Sequence, residues 1–256
     1  MGLLAGKRIV ITGVRNTDSL ALAVARRALE EGAEIVLTSL GRAAESAAGV
    51  AATLDPIPDI LEFDATDPGS AQRLATSLGE RWDRVDAALH AIAFSPRSCV
   101  SGPMLDTPWS DVSTAVHTSA YSLKSLTEAL FPLMRTHGGS IVALDFDSRV
   151  VWPGYNWMGV AKSALESITR YLARELGTHQ IRLNLIAAGP ITSTSAAAVE
   201  GFDTGQAHWS RRAPLGWNGA DLTPTANACI ALMSDLFTAT TGEMIHVDGG
   251  VHFLGD

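Results

Sequence analysis

The first forty residues constrain the fold more than any other stretch. Residues 7–12 carry an apolar run, Ile9, Val10 and Ile11, that reads as a buried strand. Gly13 turns the chain, Ser19 suits the N-cap of a helix over 20–31, and Gly32 stops that helix. Residues 34–38 are then a second strand, which makes a strand–helix–strand unit of the kind that cradles dinucleotides. The alternation continues without a linker. Strands are expected at 60–63, 85–91, 141–144, 181–186 and 244–247. Helices are expected at 43–54 (small residues, exposed), from Thr107-Pro108 through Met134, and at 225–234. This pattern predicts one α/β domain over 1–256, a doubly wound parallel sheet of about seven strands with helices on both faces.

The chemistry points to residues 139–163. A strand at 141–144 is followed by the Pro153-Gly154 break and by a helix with Ala161, Leu165, Ile168, Leu172 and Leu176 on one face, ending at Gly177. Tyr155 and Lys162 lie at its head, almost two turns apart, and so point the same way across roughly 10 Å of axial rise. A cation beside a phenol favours a polarised hydroxyl that donates to a developing oxyanion. An isolated Tyr-x6-Lys pair is most often a turn aromatic and a solvated lysine. Here the chain has only three lysines and three tyrosines, and this pair follows a strand and a break, where doubly wound sheets place their ligands. The other near pair, Tyr121 and Lys124, sits mid-helix with no turn before it.

Asp145-Phe146-Asp147, Tyr155-Asn156-Trp157-Met158 and Ala161-Lys162-Ser163-Ala164-Leu165-Glu166 carry a specific resemblance. The stretch resembles the enoyl-acyl-carrier-protein reductases of bacterial type II fatty acid synthesis, most of all their actinobacterial branch. That family lies within the short-chain dehydrogenase/reductase superfamily, has a Rossmann-like fold and separates its Tyr and Lys by six residues. Met158 stands where the ordinary superfamily tyrosine would fall, and Val142 where its serine would. The resemblance implies hydride transfer from NADH to the β-carbon of a trans-2-enoyl group carried on acyl carrier protein or coenzyme A. It makes Tyr155 the donor to the thioester oxygen, Lys162 the ligand of the nicotinamide ribose, and Phe146 an aromatic beside the nicotinamide, with Met158 and Phe94 also toward substrate. Two rival readings are a ketoreductase of the same fold and a nucleotide-binding homologue without turnover.

For the cofactor, G-x-G-x-x-G is missing, since no glycine lies between Gly13 and Gly32. The family instead uses a glycine, five residues and Ser-hydrophobic-Ala, here Gly13 followed by Val14 and then Ser19-Leu20-Ala21, with the serine and helix N-terminus facing the pyrophosphate. By resemblance, Leu40 packs on the adenine and Asp64 and Ala65 lie against it; Asp64 also reads as a helix-capping aspartate ahead of Pro68. Ala91, Ile92 and Ala93 let the cofactor approach, Ala188-Gly189-Pro190-Ile191 closes over the nicotinamide, and Ser193 meets the pyrophosphate. Leu40-Gly41-Arg42, after the second strand, lacks the carboxylate common in NAD-specific folds. NADH is therefore expected as the preferred donor, with NADPH tolerated through Arg42 and Arg15. A lid over about 191–212, mobile across 194–209, is shorter than that of the mycobacterial long-chain enzymes. The family also implies a homotetramer.

A net charge of −8 argues against nucleic acid or anionic membrane as a partner. Cys99 and Cys229 give neither a disulfide framework nor a metal pattern, and the seven histidines are scattered. No apolar run reaches membrane-helix length, and the first residues carry neither a signal-sequence nor a myristoylation pattern, so a cytoplasmic protein without a metal site is expected.

Overall fold

The computed structural model describes residues 2–255 except 194, 195, 197, 198 and 200; the Arg42 side chain is also outside the description. Part of the expected lid, and the side chain on which NADPH tolerance rested, therefore lie outside the described residues.

Seven strands form one parallel sheet: β1 (Arg8–Ile11), β2 (Glu34–Ser39), β3 (Asp59–Glu62), β4 (Ala87–His90), β5 (Gly139–Asp145), β6 (Ile181–Ala188) and β7 (Met244–Val247). Their order is β3-β2-β1-β4-β5-β6-β7, so the winding reverses between β1 and β4. Both faces are covered, which is why the strands read as continuous apolar runs. Along β1, Ile9 and Ile11 enter one core while Val10 enters the other; along β5, Val142 goes to the first and Ile141 and Ala143 to the second.

The first face is covered by α1 (Leu20–Glu30), α2 (Ala44–Ala51) and α8 (Thr223–Met233), and the second by α3 (Ser70–Arg81), α5 (Ser122–Met134) and α6 (Asn156–Leu176). Ser19 caps α1 as expected, its hydroxyl accepting from Leu22 N at 3.4 Å. Three expectations change. The helix at 43–54 is not simply exposed: Ala47, Val50, Ala51 and Leu54 are buried. The helix expected from 107 to 134 is α4 (Trp109–Val116) and α5, joined by a π-helical turn over His117–Tyr121. Helix α3, which the sequence implied after Pro68 without a range, runs over Ser70–Arg81. The segment expected to be mobile folds in its second half into α7 (Phe202–Arg212), anchored by Trp209 at 5% exposure. Among the described residues, no helix is long and apolar enough to cross a membrane.

Candidate active site

The site gathers at the C-terminal ends of the strands around the winding reversal. Thr12 ties β1 to β4 there: its hydroxyl donates to Leu89 O at 3.0 Å and accepts from Ala91 N at 3.0 Å. Gly13 follows with φ +82°, and a Cβ on it would stand 2.2 Å from Ala91 O. Glycine is thus required by conformation and by the closeness of the 91–93 backbone. Val14 is buried and Leu20 half-buried. The Ser19 hydroxyl is committed to its own loop, donating to Asn16 O at 2.9 Å, so the anion-facing groups at this corner are the helix N–H donors.

At the next edge, Leu40 is half-buried and Ala65 buried. Asp64 accepts from Thr66 N at 2.9 Å and Thr66 Oγ1 at 2.7 Å through one oxygen, and its own N–H donates to Ser70 Oγ. That bond closes a turn before α3 and does not cap the helix, whose N-cap is Gly69 with no side-chain cap bond.

Across the reversal, the exit of β5 meets the head of α6. Asn156, directly after Tyr155, has φ 34° and donates from Nδ2 to Gly102 O at 2.9 Å, while Trp157 Nε1 donates to Met104 O at 3.0 Å. A non-glycine residue in this region is strained and needs such outside bonds. The Phe146 ring lies 5.1 Å from Tyr155 edge-on, 5.2 Å from Trp152 and 5.9 Å from Trp209. Met158 is buried with Val100 and Ala161, and Tyr155 and Val199 pack against them. Phe94 stands outside these clusters, 52% exposed, its backbone N and O both bonded to Ser119 Oγ.

Lys162 Nζ donates to Leu144 O at 2.9 Å and lies 3.6 Å from Asp145 Oδ1, with side-chain exposures of 7% and 0%. Burial lowers the Lys162 ammonium from its ordinary value, opposed by Asp145. Burial pushes Asp145 up to about 6, opposed by Lys162. Burial also raises the Tyr155 phenol, and Asp145 raises it further. His90, 2.8 Å from Ser122 Oγ, is lowered to about 3 by burial and by Lys162, so its imidazole is neutral.

At the exit of β6, Gly189 N donates to Val247 O at 2.9 Å, and Trp217 Nε1 donates to Pro190 O at 2.8 Å. A Cβ on Gly189 would meet the Trp217 ring at 2.7 Å. Ala188 pairs with Val247, Ile191 is half-buried, and Ser193 Oγ accepts from Ala196 N at 3.2 Å.

Among the described residues the Tyr155 hydroxyl has no hydrogen bond, neither Asp145 oxygen has one, and Lys162 commits one of its three donors. Unsatisfied polar groups at strand ends, next to a close-approach glycine and a helix N-terminus, fit a dinucleotide with a polar substrate beside it. Sequence reasoning missed Asp145 as the Lys162 counter-ion, His90, and the indoles of Trp152, Trp209 and Trp217. The signal for Asp145 was its place at the end of an apolar strand; the tryptophans are too far apart in the chain to be grouped by spacing. A polar cleft of about 390 Å³ between Lys7, Asp86, Arg182 and Asp235 lies at the opposite, N-terminal ends of the strands.

Residues 13–252 match the family described as "Enoyl-(Acyl carrier protein) reductase". The chain is 42% identical to the "Enoyl-[acyl-carrier-protein] reductase [NADH]" of Mycolicibacterium smegmatis, with 97% of each chain covered. It is 36% identical to the "Enoyl-[acyl-carrier-protein] reductase [NADH] FabI" of Aquifex aeolicus over 100% of this chain and 94% of that one. A similarly named protein of Rickettsia bellii is 37% identical over 99% of this chain and 97% of its own.

Proposed function

The chain belongs to the enoyl-(acyl carrier protein) reductase family, and we propose that Tyr155 and Lys162 are the residues through which it acts. It is an NADH-dependent oxidoreductase that reduces enoyl thioesters on acyl carrier protein in fatty acid biosynthesis. Bound NADH supplies the hydride that goes to the β-carbon of the enoyl group.

Negative charge then develops on the thioester oxygen, and Tyr155 donates a hydrogen bond to it. Its phenol, raised by burial, keeps its proton at neutral pH, as a donor must. Lys162 directs its remaining donors to the nicotinamide ribose, and Asp145 holds the ammonium in place and charged. The 188–191 backbone and Phe146 bound the nicotinamide, while Met158, Val100 and Ala161 receive the acyl chain near its thioester. Gly13, Val14 and the head of α1 take the pyrophosphate; Leu40, Asp64 and Ala65 take the adenine. The observation that carries this reading is the Tyr155 hydroxyl, without a hydrogen bond among the described residues, next to a buried lysine–aspartate pair. Both positions that define ketoreductases of this fold are filled by buried apolar side chains, Val142 and Met158.

The same reading treats the chain as one catalytic domain with 191–212 covering the substrate. It makes the active form a cytoplasmic homotetramer and coenzyme A thioesters acceptable surrogates. Tyr155→Phe tests the central assignment. Turnover on a trans-2-enoyl thioester should fall about 10²- to 10³-fold, as when one oxyanion donor is lost, while NADH affinity stays within about twofold. Full activity at saturating substrate would remove Tyr155 from this role.

A further inference from the structure

Dinucleotide sites of this topology discriminate at the end of the second strand, where a carboxylate accepts from the ribose 2′-hydroxyl and repels a 2′-phosphate. Here β2 ends at Ser39 and continues as Leu40-Gly41-Arg42, with no acid. The neighbouring strand supplies one. β3 pairs in parallel with β2, and Ser39 stands opposite Glu62. Leu61 and Phe63 pack into the core on the α3 side and Ile60 into the core on the α1 side, so alternation sends Glu62 to the α1 and α2 face. That is the face on which the turn after β2 lies.

A Cβ built on Gly41 would stand 3.5 Å from Glu62 Oε1 and 3.9 Å from Oε2. That is ordinary contact distance, so the carboxylate lies directly beside residue 41. Gly41 has no left-handed φ, so its glycine contributes room and not conformational freedom. Glu62 is exposed and makes no hydrogen bond or ion pair among the described residues. Among the described side chains, Arg73 is held by Asp67, and Asp64 has one oxygen committed to Thr66. By contrast, among the described residues, no hydrogen bond or ion pair engages either oxygen of Glu62.

We propose that Glu62 is the specificity-determining residue for the adenosine ribose. Its carboxylate, lent across from β3, accepts from the 2′-hydroxyl of NAD and repels the 2′-phosphate of NADP. The proposal rests on the NADH reading of the site and adds to it the residue that enforces the choice. Direct binding of NAD+ and NADP+ to the whole chain, measured by calorimetry without substrate, tests it. Glu62→Gln should tighten NADP+ about three- to tenfold, the scale of one exposed like-charge contact relieved, while NAD+ weakens slightly. Glu62→Asp, which keeps the charge, should retain most of the wild-type ratio. Raising the salt should narrow the wild-type ratio and leave the Gln ratio nearly flat. A Gln variant that binds NAD+ with an unchanged NADP+/NAD+ ratio overturns the proposal alone. A wild-type chain that binds neither nucleotide overturns the NADH reading with it.

Discussion

The ion pairs at one end of the sheet and the buried Lys162–Asp145 pair at the other treat charge in opposite ways. At the N-terminal ends of the strands, Lys7 pairs with Asp235 at 2.8 Å, Arg8 with Asp83, and Arg84 with Asp86 at 2.9 Å. Asp86 also accepts from Arg8 N, and Ser140 donates to Leu232 O. One guanidinium nitrogen of Arg182 is the exception there among the described residues. At the C-terminal ends, among the described residues, Asp145 is fully enclosed without a hydrogen bond, Lys162 is enclosed with one, and the Tyr155 hydroxyl has none. Burying charge in that condition costs several kcal/mol per ion before any attraction is counted. A chain keeps such an arrangement where a ligand completes it, so the site is marked as much by what is left unbonded as by which residues are present.

Removing one lysine from each end should break this symmetry most sharply. Lys162→Ala leaves Asp145 buried without its counter-ion, a change worth about 3–5 kcal/mol of stability, and removes the ribose ligand. Calorimetric melting should show a large fall in Tm and NADH binding should be lost. Lys7→Ala removes one exposed ion pair and should cost at most about 1 kcal/mol with turnover unchanged. If Lys7→Ala proved the costlier of the two, the contrast between the ends would be wrong.

Asp145→Asn should act next in size, and through pH. The folded value of about 6 lies above that of an unfolded aspartate, so the folded state binds the extra proton between about pH 4 and 6. The stability tied to that proton is complete below about pH 4 and is lost as pH rises through 6. Asn carries no such proton. The variant should therefore flatten the acid side of the stability profile, by on the order of 1–3 kcal/mol across that window. It also removes the group that opposes the burial-driven lowering of Lys162. The alkaline loss of NADH affinity should then move to lower pH, a shift that a merely structural role for Asp145 would not produce.

Much of this arrangement was legible from the chain alone, for reasons that differ by region. The strands β1, β2 and β5 were readable because a sheet covered on both faces demands uninterrupted apolar runs, and Ser19 because capping chemistry is local. Tyr155 directly precedes α6 and Lys162 lies within it, so both stand at the head of one element. Glu62 could not be read, because its relation to Gly41 depends on the parallel register of β2 and β3, which sets residues 21 apart in sequence side by side. Trp209 was lost to composition. The small and polar residues around it suggested a mobile loop, yet its indole bonds Asp248 O at 2.8 Å and lies 4.8 Å from Trp152. One buried aromatic there outweighs a dozen weak helix formers.

That anchoring also bears on the acyl chain, where the smallest effect per step is expected. Val199 packs on the Met158, Val100 and Ala161 cluster beside Tyr155, and α7 closes the neighbouring aromatic cluster through Trp209. A cover docked at both places would bound the depth of an acyl site beneath it. Each methylene buried in it is worth roughly 0.8 kcal/mol, nearly fourfold in affinity, and a carbon that reaches past its end gains nothing. Efficiency should therefore rise through short and medium trans-2-enoyl thioesters and then level off. Measuring kcat/KM over an even-numbered series locates the plateau, and Trp209→Ala should move it to longer chains by loosening α7. A steep rise that persists to the longest soluble substrates, unchanged by Trp209→Ala, would show that this cover does not set the depth.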